Sequence, residues 1–82
     1  MGTINLTHLK PNQLIRTQCN VLFLVKDTRL HYQNEYTAVY KVKACKMPLS
    51  SYANPVRVFY FYRDGQSAFG QPFLYDIIKI DE

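Results

Sequence analysis

Residues 56–63 read VRVFYFYR, the strongest strand signature in this 82-residue chain. Apart from two arginines the stretch is β-branched or aromatic, and such side chains fit a pleated, half-buried surface. Side chains alternate across a strand, so Val56, Val58, Tyr60 and Tyr62 share one face. Arg57, Phe59, Phe61 and Arg63 share the other. Asp64-Gly65 follows at once and signals a turn. Either parity suits a core at this point. Phenylalanines favour burial and tyrosines suit a half-wet position, whereas Arg57 and Arg63 share the phenylalanine face and favour solvent.

The segments on either side have the same period of two. In residues 36–46, Tyr36, Ala38, Tyr40, Val42 and Ala44 form one face. Thr37, Val39, Lys41, Lys43 and Cys45 form the other. The apolar set therefore faces the core, and Lys41 and Lys43 stand side by side in solvent. Residues 15–25 alternate with Ile15, Thr17, Cys19, Val21, Phe23 and Val25 in one row. They read as a single strand, its second half covered on both faces. Residues 27–35 are polar apart from Leu30 and Tyr32 and read as a hairpin loop. Residues 48–54 lie between Pro48 and Asn54-Pro55, where one or two turns of helix or a tight loop fit. Residues 66–72 read as a glycine- and proline-marked loop around Phe69. Residues 73–80 are apolar on nearly both faces and read as a last strand that is central or closes a barrel. Residues 3–9 offer one more short strand.

Together these segments predict an all-β or β-rich α+β fold: a four- to five-stranded twisted antiparallel sheet or an OB/SH3-like barrel, with a short helix near 48–54. The length fits one compact domain over residues 1–82. With 48% hydrophobic and 20% charged residues the composition is globular, which excludes a disordered tail or a collagen-like repeat. The longest strictly apolar runs are 21–25 and 58–62. A membrane helix needs about 20 residues of that kind, far more than either run supplies. MGTINLTHLK shows neither a basic n-region nor a long apolar h-region, which points to the cytoplasm. On that reading the sequon at Asn5-Leu6-Thr7 is fortuitous, and Leu6 stands where a myristoylation signal needs Ser or Thr. Cys19 and Cys45 form no CxxC pattern and have no histidine at ligand spacing, so they read as two reduced thiols.

Ten lysines and arginines face six carboxylates, for a net charge of +4. Without the two final residues, Asp81 and Glu82, four carboxylates face the same ten cations, a net of +6. A field of that sign draws nucleic acid, anionic membrane or an acidic protein. Seven tyrosines exceed what a core of this size needs, so some stand at the surface. If the strands at 36–46 and 56–63 pair, Lys41, Lys43, Arg57 and Arg63 can meet phosphates while Phe59, Tyr60, Phe61 or Tyr62 stack on bases. Positions i and i+2 on a strand are ~7 Å apart, close to the step between nucleotides in an extended strand. Arg29, His31 and Tyr32 have suitable chemistry too, although an ordinary solvated hairpin tip explains them as well.

Chemistry beyond binding has little support. His8, His31 and Lys41 suit acid–base catalysis in type, but nothing in the sequence brings them together. Asp27, Glu35, Asp64 and Asp76 are scattered, and no nucleophile motif, P-loop or dinucleotide fingerprint is present. The expectation is therefore no enzyme, no cofactor and no metal. LKPNQLIR, residues 9–16, resembles the turn-then-strand opening of SH3-like and OB-like barrels. The compact, basic, tyrosine-rich character resembles small early proteins of bacteriophages and mobile elements. That resemblance implies a second role, an inhibitor or adaptor docking on an acidic host or defence-system protein. Its aromatic anchors would be Tyr32, Tyr52, Phe69 and Tyr75. An exposed strand edge could also pair with a second copy.

Overall fold

The computed structural model describes residues 4–47 and 55–81. Five strands form one antiparallel sheet: β1 (Leu14–Thr17), β2 (Leu22–Gln33), β3 (Ala38–Lys46), β4 (Arg57–Tyr62) and β5 (Ile77–Asp81), in the order β4-β3-β2-β1-β5. Two single 3₁₀ turns accompany them, η1 (Leu6–His8) and η2 (Phe73–Tyr75). The chain thus has a small all-β fold. The strand expected at residues 3–9 is not formed among the described residues 4–9, of which Leu6–His8 make η1. The helix expected at 48–54 lies outside the described residues. No helix among the described residues is long and apolar enough to cross a membrane.

The parity of β4 is resolved by its phenylalanines. Phe59 and Phe61 point inward, 3% and 0% exposed, and Phe59 meets Phe23 edge-on at 5.0 Å. Bare phenyl rings carry no hydroxyl that needs a partner, so burying them costs less than burying Tyr60 and Tyr62. Ile15, Phe23, Val25, Val42, Ala44 and Ile77 join them, and Leu6 and Leu9 cover the same side from the N-terminal segment.

Residues 15–25 are not one strand but a hairpin. β1 and β2 pair through Ile15↔Phe23, with a tight turn whose residue Asn20 has φ of 65°. Asparagine tolerates that left-handed conformation. Thr17 Oγ1, buried in the turn, donates to the Val21 carbonyl at 3.3 Å. Paired positions in this hairpin are both odd or both even, so the inward rows of the two strands share one parity. The alternation therefore runs through the turn without a break.

Residues 27–33, expected as loop, continue β2. Their strand character comes from pairing, not from hydrophobicity: Thr28, Arg29, Leu30, Tyr32 and Gln33 each oppose a residue of β3. The connection shrinks to a turn closed by Asn34. Its Oδ1 accepts from the backbone N–H groups of Tyr36 at 2.8 Å and Thr37 at 2.9 Å, the local bonding that suits asparagine to turns. Within the β2–β3 ladder, Lys26 and His31 have no opposite number on β3 and form bulges.

The C-terminal segment corrects two further expectations. Residues 73–75 form η2, and the strand that follows, β5, lies at the edge of the sheet rather than in its middle. The sheet does not close into a barrel. The turn after β4 reaches both β5 and the N-terminal segment: the Ile77 N–H donates to the Gly65 carbonyl at 2.8 Å, and the Leu6 N–H to the Arg63 carbonyl at 2.9 Å.

Candidate nucleic-acid interface

The outer face of β2, β3 and β4 is built from three cross-strand rows. Asp27, Lys43 and Val58 form the first, Arg29, Lys41 and Tyr60 the second, and Tyr32, Val39 and Tyr62 the third. Residues directly opposite across a ladder project to the same face. Lys41 and Lys43 therefore stand where alternation placed them, on the face away from the core, each half-buried. No carboxylate among the described residues lies within ion-pair range of either, whereas Arg29 pairs with Asp27 at 3.2 Å.

Three aromatic rings meet on this face. His31, pushed out of register by its bulge, reaches across β3 to the Tyr60 ring, with centroids 5.0 Å apart. Phe69 meets Tyr60 at 5.4 Å and His31 at 6.0 Å, both edge-on. Val39, on the same face, is only 1% exposed.

Phe69 is delivered by a braced loop. After β4 the chain doubles back alongside it: the Tyr62 N–H donates to the Gln66 carbonyl (2.7 Å), and the Ala68 N–H to the Tyr60 carbonyl (2.9 Å). Gln71 Oε1 accepts from the Tyr60 N–H at 3.0 Å, Gln71 Nε2 donates to Ser67 Oγ at 3.0 Å, and Asp76 Oδ1 accepts from the Ser67 N–H at 2.8 Å. The tip is a tight turn closed by the Gln71 N–H on the Ala68 carbonyl (3.1 Å), with φ of 57° at Phe69 and 77° at Gly70. Two positive φ angles in succession are the pattern of a type I′ turn, whose first central residue is ordinarily Asn, Asp or Gly. A left-handed phenylalanine costs about 1–2 kcal/mol. The residue is nevertheless 62% exposed, so burial does not offset that strain in full.

The expected site residues divide between the two sides of the sheet. Lys41, Lys43, Tyr60 and Tyr62 come together on the outer face. Phe59 and Phe61 do not: both are core residues and present no ring surface for a base. Arg57 shares their parity, opposite Ala44, so it leaves the patch as well. Its guanidinium lies over the rings of Tyr75 (5.1 Å) and Phe59 (5.2 Å) and donates to the Tyr75 hydroxyl at 3.2 Å. Arg63 stands beyond the end of β4, beside Asp64 in the turn. The alternative anchors also separate. Tyr32 and Phe69 are on the outer face, Tyr75 is on the core side with Arg57, and Tyr52 lies outside the described residues.

His31 and Arg29 join the outer face because their segment is strand rather than loop, which its polar sequence hid. His8 belongs to η1, on the core side, so it does not meet His31. Among the described residues no group of three His, Cys, Asp or Glu stands together to hold a metal, and Cys19 and Cys45 are both free thiols. Comparison with protein-family models, curated proteins and solved structures finds no match for this chain, so its functional reading rests on the geometry of this face.

Proposed function

We propose that the chain is a binding module for single-stranded nucleic acid, RNA before DNA, with no catalysis of its own, and that the strand lies along the outer face of β2, β3 and β4. The observation that carries this reading is the strained, exposed Phe69 packed on Tyr60, on the sheet face that also bears Lys41 and Lys43. Backbone strain persists where the surroundings over-determine it, and such sites cluster at ligand contacts. Aromatic rings carried on a sheet are a common means of stacking unpaired RNA bases, and neighbouring lysines supply the phosphate contacts. The net charge of +4 supplies attraction at longer range.

The test is fluorescence anisotropy with a labelled ten-nucleotide RNA and its DNA counterpart, titrated from ~50 to ~200 mM salt. Binding weakens steeply over that range, and Lys41→Glu lowers both the affinity and the slope of log K against log salt. No binding at low salt, or a Lys41→Glu variant with unchanged affinity and slope, overturns the reading. A second reading draws on the same face: the exposed Phe69 and Tyr32, on the side of the sheet that bears Lys41 and Lys43, would also anchor an acidic protein partner. Such a complex would survive ~200 mM salt and nuclease treatment, which nucleic-acid binding would not.

A further inference from the structure

We propose that the cleft between the Asn34–Thr37 turn and the turn after β4 is a base subsite selective for guanine; this rests on the nucleic-acid reading above. The cleft has a volume of about 320 Å³, and Tyr36, Tyr62, Arg63, Asp64 and Gln66 are among its lining residues. That volume is at the lower end of the ~300–1,000 Å³ typical of ligand pockets, a size for one base rather than a larger ligand.

The walls suit a flat ring. Tyr36 lies beyond the start of β3 and is 87% exposed, and Tyr62 is 38% exposed. Neither joins the His31–Tyr60–Phe69 cluster. Two tyrosine rings lining one cleft offer π-faces of the kind that hold an unstacked base. Tyr62 follows Tyr60 by two positions on β4. That spacing sets Tyr62 about 7 Å, one nucleotide step, from Tyr60, on which Phe69 packs.

The rim carries opposite charges on consecutive residues, each with bonding capacity to spare. Asp64 Oδ1 accepts from the Gln66 N–H at 3.0 Å, which leaves its second oxygen available. Arg63 forms no ion pair with Asp64 or with any other described residue. A carboxylate only accepts hydrogen bonds and a guanidinium only donates them. Guanine is complementary to both: N1–H and N2–H₂ form adjacent donors on one edge, while O6 and N7 form adjacent acceptors that a guanidinium can take. Adenine turns the acceptor N1 toward a carboxylate, uracil offers one donor between two carbonyls, and cytosine sets its amino group beside an acceptor.

The test measures binding of U-rich hexanucleotides carrying a single G, A or C, against the all-U parent, at ~50 mM salt where the phosphate contribution is largest. The G-containing oligonucleotide should bind at least about fivefold more tightly than the others, as expected for one good base-edge recognition. Asp64→Asn keeps an oxygen for the Gln66 N–H but loses the paired acceptors. It should abolish the preference; the loss of one negative charge raises affinity for all four strands alike, so the ratio of G-containing to all-U affinity is the readout. Arg63→Gln, at an exposed position, should narrow the preference independently. Salt-sensitive binding that is equal for all four strands, or a preference that survives Asp64→Asn, overturns the guanine site and leaves the general reading standing. Failure of every strand to bind overturns both.

Discussion

Phe69 touches Tyr60 edge-on with ring centroids 5.4 Å apart, although its own backbone is held at φ of 57°. The contact joins two requirements that usually conflict. A left-handed position in a tight turn favours a residue with little side chain, and a stacking platform needs a large one. The braces from Gln71, Ser67 and Asp76 hold the loop in place, so the unfavourable residue is tolerated.

Phe69→Ala and Phe69→Gly separate these requirements. Both remove the platform, and both should weaken nucleic-acid binding by the ~1–3 kcal/mol that one stacked base contributes. The glycine variant is relieved of the left-handed strain and should be more stable to urea than the alanine variant by about 1 kcal/mol. Equal stability of the two would mean that the strain is not present in solution.

The orientation of β4 gives a second contrast between neighbouring residues. Phe61→Ala empties a fully buried site and should cost about 3–5 kcal/mol. At ~0.05–0.15 kcal/mol per residue, the whole domain holds only about 4–12 kcal/mol, so the variant loses at least about a quarter of its stability. Tyr62→Ala, on the outer face, should cost about 1 kcal/mol or less. Urea unfolding read by tyrosine fluorescence or circular dichroism measures both. The opposite ranking would put the tyrosines inside.

The alternation of residues 56–63 is legible because β4 buries one face and ends at a clear turn, and that of 36–46 because Lys41 and Lys43 interrupt the face opposite the core row of Ala38, Val42 and Ala44. Elsewhere the pattern misled for identifiable reasons. The β1–β2 hairpin pairs residues of like parity, so Ile15 and Thr17 run into Phe23 and Val25 as if no turn intervened. The polar residues of β2 from Asp27 onward are held by backbone pairing to β3, and period-two hydrophobicity cannot report a strand exposed on both faces. Residues 73–80 failed in the reverse sense. Phe73, Leu74 and Ile78 are apolar yet exposed, so hydrophobicity on both faces implied a central position that the strand does not have. In the site, Lys41 and Lys43 follow from parity alone, whereas parity leaves both faces of β4 open and only the burial of Phe59 and Phe61 selects the tyrosines. The His31 bulge and the Phe69 turn depend on register and on φ, which composition does not encode.

Gly65 and Gly70 both have positive φ, 88° and 77°, but differ in their surroundings. A Cβ at Gly65 would lie 2.8 Å from Ile4 Cγ2 and 3.1 Å from both Ile77 Cβ and the Ile77 carbonyl oxygen. At Gly70 nothing lies within 4 Å. Gly70→Ala should therefore show only the backbone penalty of about 1–2 kcal/mol. Gly65→Ala should add about 1–3 kcal/mol of overpacking, because the turn after β4 links the two sheet edges there. Comparing the urea midpoints of the two variants checks this; equal losses would mean that Ile4 and Ile77 yield without cost.

Arg57 and Lys43 lie one rung apart along the paired β3 and β4 strands, yet they should respond to salt in different ways. Lys43 projects from the outer face. Lys43→Ala should therefore remove one phosphate contact and flatten the slope of log K against log salt by about 0.7, the single-strand value. Arg57 sits on the core side, where its guanidinium covers the Tyr75 and Phe59 rings. Arg57→Ala should leave the slope unchanged. Its effect should fall on stability, a loss of about 0.5–2 kcal/mol for the cation–π contacts. Anisotropy titrations at four salt concentrations, paired with urea unfolding, distinguish the two roles. An Arg57→Ala slope as flat as that of Lys43→Ala would place the nucleic acid across the β4 edge rather than on the outer face alone.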